Sequence, residues 1–225
     1  MSGVNNQTFK NSLRKQLQKK ITDLTFFEMI AKSGNLIEIF KNQIIDSAEF
    51  TSFQGKTIVS FHPFEVEPQI NIESEKNDEP YQVSYVRIVD WDAKVMIAAE
   101  ARRDQPGQWE EFQVSAKNKI HQPTPFQPVC NPDQIAAILV PGMGFSALGD
   151  RLGRGAGFYD RFLRNHPEAL RIGIAFEEQM TEKIPLDPWD EKVDVILTDQ
   201  NLYQVISTKL LGEWRSQGKI KNRIS

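Results

Sequence analysis

Arg151, Arg154 and Asp160 stand among glycines at positions 142, 144, 149, 153, 155 and 157. Guanidinium groups bind phosphate oxygens in bidentate fashion. Glycines let a backbone approach an anion and turn its N–H groups on it, and a helix that begins beside the loop favours the same charge. The chemistry suited to this combination is phosphate binding. Two common nucleotide motifs are excluded, because Gly153-x-Gly155-x-Gly157 breaks the G-x-G-x-x-G spacing and no Gly-Lys-Ser/Thr follows. A surface connection whose glycines serve turn geometry alone does not call for two arginines and an acid at a helix start.

The loop needs a strand before it and a helix after it, and the pattern supplies both. Ile135 to Val140 is an apolar run bounded by prolines, as in a strand buried on both faces, and Phe158 to Leu163 restores a helical apolar pattern. Near the N-terminus, residues 6–21 place Leu13, Leu17 and Ile21 on one helical stripe, with Lys10 and Arg14 sharing another face. Taken alone, those two cations belong to a solvated basic face, together with Lys15, Lys19 and Lys20. A second helix is expected over residues 25–47, broken or kinked at Ser33-Gly34-Asn35.

Further strands are expected at 57–61, 81–89 and 93–99, with a turn at 90–92, and at 170–176 and 193–198. Residues 71–80 read as a polar excursion, 102–107 and 121–132 as loops, and the chain beyond Thr198 as a surface helix or frayed tail. Short apolar strands alternating with helices give an α/β fold: a mainly parallel sheet with helices on both faces, a Rossmann-like three-layer sandwich. Ligands of such sheets gather beyond the carboxyl ends of the strands, where the glycine loop lies. The ends of strands 57–61 and 193–198 are its expected neighbours.

At 225 residues, 40% hydrophobic and 25% charged, the chain reads as one domain spanning 1–225. A net charge of −3 provides no general basic surface, which argues against nucleic acid or an anionic membrane as partner. The single cysteine, Cys130, rules out an intramolecular disulfide and is expected to pack. No apolar run approaches about 18 residues and the N-terminus has no apolar signal core, so the chain is read as cytoplasmic.

Pro141-Gly-Met-Gly-Phe145, followed by Gly149-Asp-Arg-Leu-Gly-Arg-Gly-Ala-Gly-Phe-Tyr-Asp-Arg-Phe-Leu163, resembles the signature of the 5-formyltetrahydrofolate cyclo-ligase (5,10-methenyltetrahydrofolate synthetase) family. Lys10-x-x-x-Arg14, Val59-Ser-Phe-His-Pro-Phe-Glu65, Phe176-Glu-Glu-Gln179 with Ile184-Pro185, and Asp190 to Thr198 fall in that family's order. The resemblance covers about residues 8–199, is sparse between 66 and 130, and leaves 200–225 as an extension.

The resemblance implies an ATP-dependent closure of 5-formyltetrahydrofolate to 5,10-methenyltetrahydrofolate through an iminophosphate, with ADP and phosphate released. It implies Arg151 and Arg154 as catalytic residues. ATP would be held by Lys10, Arg14 and the run Arg151, Leu152, Gly153, Arg154, Gly155, Ala156, Gly157, Phe158 and Tyr159. The reduced folate would meet Ser60, Glu65, Arg154, Gly155, Ala156, Gly157 and Phe158, with Glu67 competing for the role of Glu65. Mg2+ would sit on Asp160 and Asp190. The expected partner is a small molecule and the chain a monomer.

For Tyr159 two readings stay open, a ring over the ligand or a core aromatic, while His62 reads as a loop histidine. Three positions depart from the family pattern: Ser146 replaces a common aspartate, Ala156 a lysine or glycine, and Asn118 a tryptophan on one folate wall. The alternatives are therefore a divergent paralogue that uses the ATP loop on another substrate, and a non-catalytic nucleotide- or folate-binding regulator.

Overall fold

The structure, a computed structural model, describes residues 3–45, 54–64, 66–73, 80–114 and 119–205. Helix α1 runs Gly3–Thr22 and α2 Phe26–Phe40, the latter continuing as a π-helical turn over Lys41–Ile45. Strands follow as β1 Thr57–Ser60, β2 Gln82–Asp90, β3 Val95–Glu100, β4 Trp109–Gln113, β5 Lys119–Pro123 and β6 Ile135–Pro141. The short β7 Gly144–Phe145 and β8 Arg151–Leu152 precede helix α3, Phe158–Arg164. Strands β9 Leu170–Ile174, β10 Val195–Leu197 and β11 Leu202–Gln204 complete the described order.

Seven strands form one sheet in the order β11-β10-β9-β6-β1-β2-β3. The inner pairings are all parallel, and antiparallel β11 and β3 occupy the two edges. From the central β1–β6 pair the chain winds outward in both directions, through β2 on one side and through β9 and β10 on the other. Such a reversal opens a crevice beyond the carboxyl ends of the two central strands. The segments that leave those ends are 61–67 and the glycine loop.

Alternation along the strands divides the core. Ile58, Leu139, Ile172 and Leu197 pack under Leu36, Phe40 and Ile44 on one face, while Val59, Ile138, Val140 and Ile196 meet Phe162 and Leu163 of α3 on the other. The three-layer α/β architecture expected from the sequence is therefore present. Helix α1 uses its apolar stripe differently: Leu13 and Leu17 cover Met143, Leu152 and Ile184, so the helix lies against the glycine loop itself. Each aliphatic buried this way contributes about 2 kcal/mol.

Several expectations need correction. Helix α2 runs unbroken through Ser33-Gly34-Asn35, because a capping box between Thr25 and Glu28 starts it firmly and Leu36 and Phe40 bury fully beyond the glycine. Ser33 is itself buried and accepts the Gln69 N–H at 3.0 Å. The stretch expected as an excursion from 71 is anchored at its start by buried Ile70 and Ile72, and residues 74–79 lie outside the described residues. Strand β3 begins at Val95, two residues late, because the turn extends to Lys94 in a left-handed conformation (φ 59°).

The β4–β5 hairpin spans residues given no element from sequence and runs into the expected loop from 121. It docks on β2 through Gln122, whose Oε1 accepts the Ile88 N–H at 3.0 Å. Beyond Thr198 the chain forms edge strand β11, and the tail 206–225 lies outside the described residues. Among the described residues no helix is long and apolar enough to cross a membrane.

Candidate functional site

The glycine loop is a folded unit held at several points. β7 pairs with β8, the Met143 N–H donates to Leu152 O at 2.7 Å, and the Gln179 amide donates to Gly142 O at 2.7 Å. Ser146, the residue in place of a common aspartate, organises the turn: its Oγ accepts the N–H groups of Leu148 and Asp150 and donates to the Asp150 carboxylate at 2.9 Å. The glycines divide by job. A Cβ on Gly142 would come within 2.7 Å of the Phe145 ring, so that glycine serves packing. Gly155 turns the chain with φ +103°, a Cβ there lying 3.5 Å from the Arg14 guanidinium.

Around this loop the expected cations and acids pair with one another. Arg151 donates from NH2 to Asp160 Oδ1 at 3.0 Å and from NH1 to Pro141 O at 3.2 Å, with only 4% of its side chain exposed. Arg154 donates from Nε and NH2 to one oxygen of Glu67 at 3.1 and 2.8 Å, and its guanidinium lies 4.3 Å from the Phe64 ring centroid. From α1, Arg14 Nε donates to Gly153 O at 2.9 Å, and Lys10 Nζ sits between Asp187 and Asp190 at 2.6 and 2.5 Å. The face expected to be solvated on sequence grounds thus delivers two cations to the loop.

Electrostatics follow from these pairings. Burial of Lys10 works against its charge, but hydrogen bonds to Asp187 and Asp190 outweigh it and hold the ammonium above its ordinary range. Hydrogen bonds from Lys10 and Asn6 keep Asp187 below the usual carboxylate range. Burial lowers the Arg14 guanidinium, partly offset by Asp190. Burial of its hydroxyl, with Glu67 nearby, raises Tyr159, so the phenol stays protonated, and that hydroxyl has no hydrogen-bond partner.

The crevice beyond β1 and β6 is a cleft of about 660 Å³. One wall is Arg151, Gly153 to Asp160 and Glu67; the other is apolar, with Val86 and Ile88 on β2, Met96 on β3, Trp91 in the turn and Val114 and Ile120 from the hairpin. Phe61, His62 and Phe64 join the two. Of the expected substrate residues, Ser60 is fully buried in β1 and does not line the cleft, and Glu65 lies outside the described residues. Leu152 is buried against α1, so only its backbone can serve a ligand.

Lys10, Arg14 and Asp190 stand beside the cleft and are tied into the loop. Asp160 Oδ1 also accepts the Glu191 N–H at 3.2 Å, which brings the two expected metal acids onto adjoining segments. Among the described residues no group of three or more His, Cys, Asp or Glu could enclose a metal. Two carboxylates do fit magnesium, which takes the rest of its oxygens from phosphate and water. Trp91, His62, His121 and the hairpin wall are cleft residues not assigned from sequence; the Phe-Gln-Val alternation at 112–114 was the available signal for the hairpin.

A family model described as the 5-formyltetrahydrofolate cyclo-ligase family matches residues 75–199. The chain belongs to that family. The matched cyclo-ligase region contains the hairpin, the glycine loop, Asp160 and Asp190, whereas Lys10, Arg14 and Glu67 lie outside it and rest on the geometry above.

Relatives include the Escherichia coli K12 5-formyltetrahydrofolate cyclo-ligase, 33% identical over 94 residues (40% of this chain, 52% of the relative). The Mus musculus cyclo-ligase is 42% identical over 69 residues (28% of this chain, 34% of the relative). The chain thus spans about half the length, or less, of these curated relatives. The cyclo-ligase fold extends further. The Aquifex aeolicus 5,10-methenyltetrahydrofolate synthetase superposes with a TM-score of 0.70 at 24% identity, covering 89% of this chain and 94% of that one. The Mycoplasma pneumoniae synthetase gives 0.61 at 24% identity, covering 84% and 98%.

Proposed function

We propose that this protein closes 5-formyltetrahydrofolate to 5,10-methenyltetrahydrofolate at the expense of ATP, releasing ADP and phosphate. The observation that carries the reading is a cleft of about 660 Å³ lined by glycine backbone and arginine together with apolar side chains from β2, β3, the 91 turn and the hairpin. The chemical obstacle is the formamide oxygen, a poor leaving group. Transfer of the γ-phosphoryl group to it gives an iminophosphate; N10 then bonds to the formyl carbon and the oxygen departs as phosphate. Positioning and charge neutralisation do most of the work in such a transfer.

In this reading the N–H groups of 153–157 face phosphate oxygens, while Arg151 and Arg154 offset the charge that moves. Lys10 and Arg14 bring α1 over the nucleotide. Bound magnesium would supply charge neutralisation on the phosphates, held by Asp160 and Asp190. The Lys10–Asp190 and Arg151–Asp160 pairs suit that exchange, since an acid freed for a metal leaves its cation free for a phosphate. For the acid that holds the pterin N–H groups we assign Glu67, which lines the cleft and is braced by Arg154. Purified protein given Mg-ATP and 5-formyltetrahydrofolate should develop the methenyltetrahydrofolate absorbance with one ADP per product. Folded protein that binds both ligands and forms no product would overturn the reading.

A further inference from the structure

Two imidazoles face the cleft from separate elements. His62 follows β1 and His121 lies on β5, with ring centroids 4.8 Å apart and planes at 31°. The Trp109 indole meets His62 edge-on at 5.5 Å. Behind them Arg103, from the loop after β3, donates to Phe61 O at 2.8 Å and lies 5.4 Å from the Tyr85 ring centroid. Tyr85 donates its hydroxyl to Glu73 at 2.6 Å, and the same carboxylate accepts the Arg103 backbone N–H at 3.1 Å. On the cleft side the charged groups are Lys119, paired with Glu111, the Arg154–Glu67 pair and the Arg151–Asp160 pair.

We propose that His62, with His121 stacked on it, accepts the proton that N10 of the folate loses when the ring closes. The inference rests on the cyclisation proposed above. As the N10 lone pair forms the bond to the formyl carbon, the bond from that carbon to the phosphorylated oxygen breaks and phosphate leaves with the electron pair. The N10–H electrons return to nitrogen and the proton passes to an imidazole nitrogen, from which phosphate or water removes it.

The other titratable cleft groups are poorly placed for the task. Protonating Glu67 or Asp160 would break its pair with Arg154 or Arg151, and the Tyr159 phenol already carries its proton. Burial, the Arg103 charge and the second imidazole hold His62 down to about 4, so it stands as a free base at neutral pH. A weak base suffices, because an aryl amine becomes strongly acidic once it bonds to a cationic carbon.

Single-turnover kinetics separate the two halves of the reaction, with ADP formation reporting phosphoryl transfer and methenyl absorbance reporting closure. His62→Gln is expected to leave ADP formation within about twofold of the parent rate and to slow closure by at least about tenfold. Added imidazole should restore closure. His121→Gln should slow closure less. In the parent protein the closure rate should hold on acidification until the pH nears about 4. Closure at the parent rate in His62→Gln, or equal loss of both steps without imidazole rescue in a variant that melts normally, overturns the proposal. Absence of product from the parent protein defeats the cyclisation reading and this inference with it. Should His62→Gln melt early, His62→Asn with the same imidazole test decides.

Discussion

On one side of the cleft the charged residues of the glycine loop are tied to α1, to 61–67 and to the 187–191 segment by ion pairs and backbone contacts. On the other, the β4–β5 hairpin rests on β2 through the buried Gln122 amide, the Trp109 ring against Tyr85 at 4.9 Å and a few half-buried apolar residues. In the first wall Arg151 and Arg154 are each paired with an acid, Asp160 and Glu67. The second is a light cover whose shape depends on which side chains fill it. In the proposed reaction the loop wall handles the phosphates and the apolar wall meets the folate.

The comparison breaks most readily at Arg151. Arg151→Ala removes the partner of Asp160 inside the loop, so turnover should fall by at least about a thousandfold and stability by about 2–3 kcal/mol. Steady-state kinetics and urea unfolding check both; a change in neither would mean that the loop is not a paired unit. Lys10→Met comes next. It leaves Asp187 and Asp190 facing each other, and it should weaken nucleotide binding by about tenfold while folate binding stays unchanged.

Glu67→Gln sharpens the border between the walls, because it discharges the brace on Arg154 without changing shape. Folate KM should rise by about tenfold or more, with the Kd for ATP within twofold. Trp91→Ala acts on the apolar wall and on its ring contact with Phe158, 5.1 Å away between centroids, and should raise folate KM by about fivefold to tenfold with a smaller effect on ATP binding.

A smaller effect concerns pH. The Asp187 carboxyl is lowered in the folded protein, so its contribution is present above its unfolded value and is lost as pH falls through the folded one. Asp187→Asn should flatten the acid limb of the stability curve below about pH 4, as thermal melting across pH would record.

The two walls also differed in legibility. Ile135 to Val140, the glycines and Arg151, Arg154 and Asp160 lie contiguously, so their pattern announced a strand, a loop and phosphate chemistry. Lys10 and Arg14 looked like a solvated stripe because nothing local records that α1 turns that face to the loop. The apolar wall is assembled from the 91 turn, β2, β3 and a hairpin of half-exposed strands, and no single stretch of it carries a periodic signal strong enough to stand out. Glu67 is linked to the glycine loop only through the fold, by a contact to Arg154 eighty-seven residues away.

The division of labour is tested most directly by calorimetric titration of Mg-ATP and of 5-formyltetrahydrofolate, each alone, into Arg151→Ala and Trp91→Ala. Arg151→Ala should lose the nucleotide and retain the folate, whereas Trp91→Ala should weaken the folate by about fivefold to tenfold and the nucleotide less. Equal loss of both ligands in either variant would contradict a cleft with one wall for each.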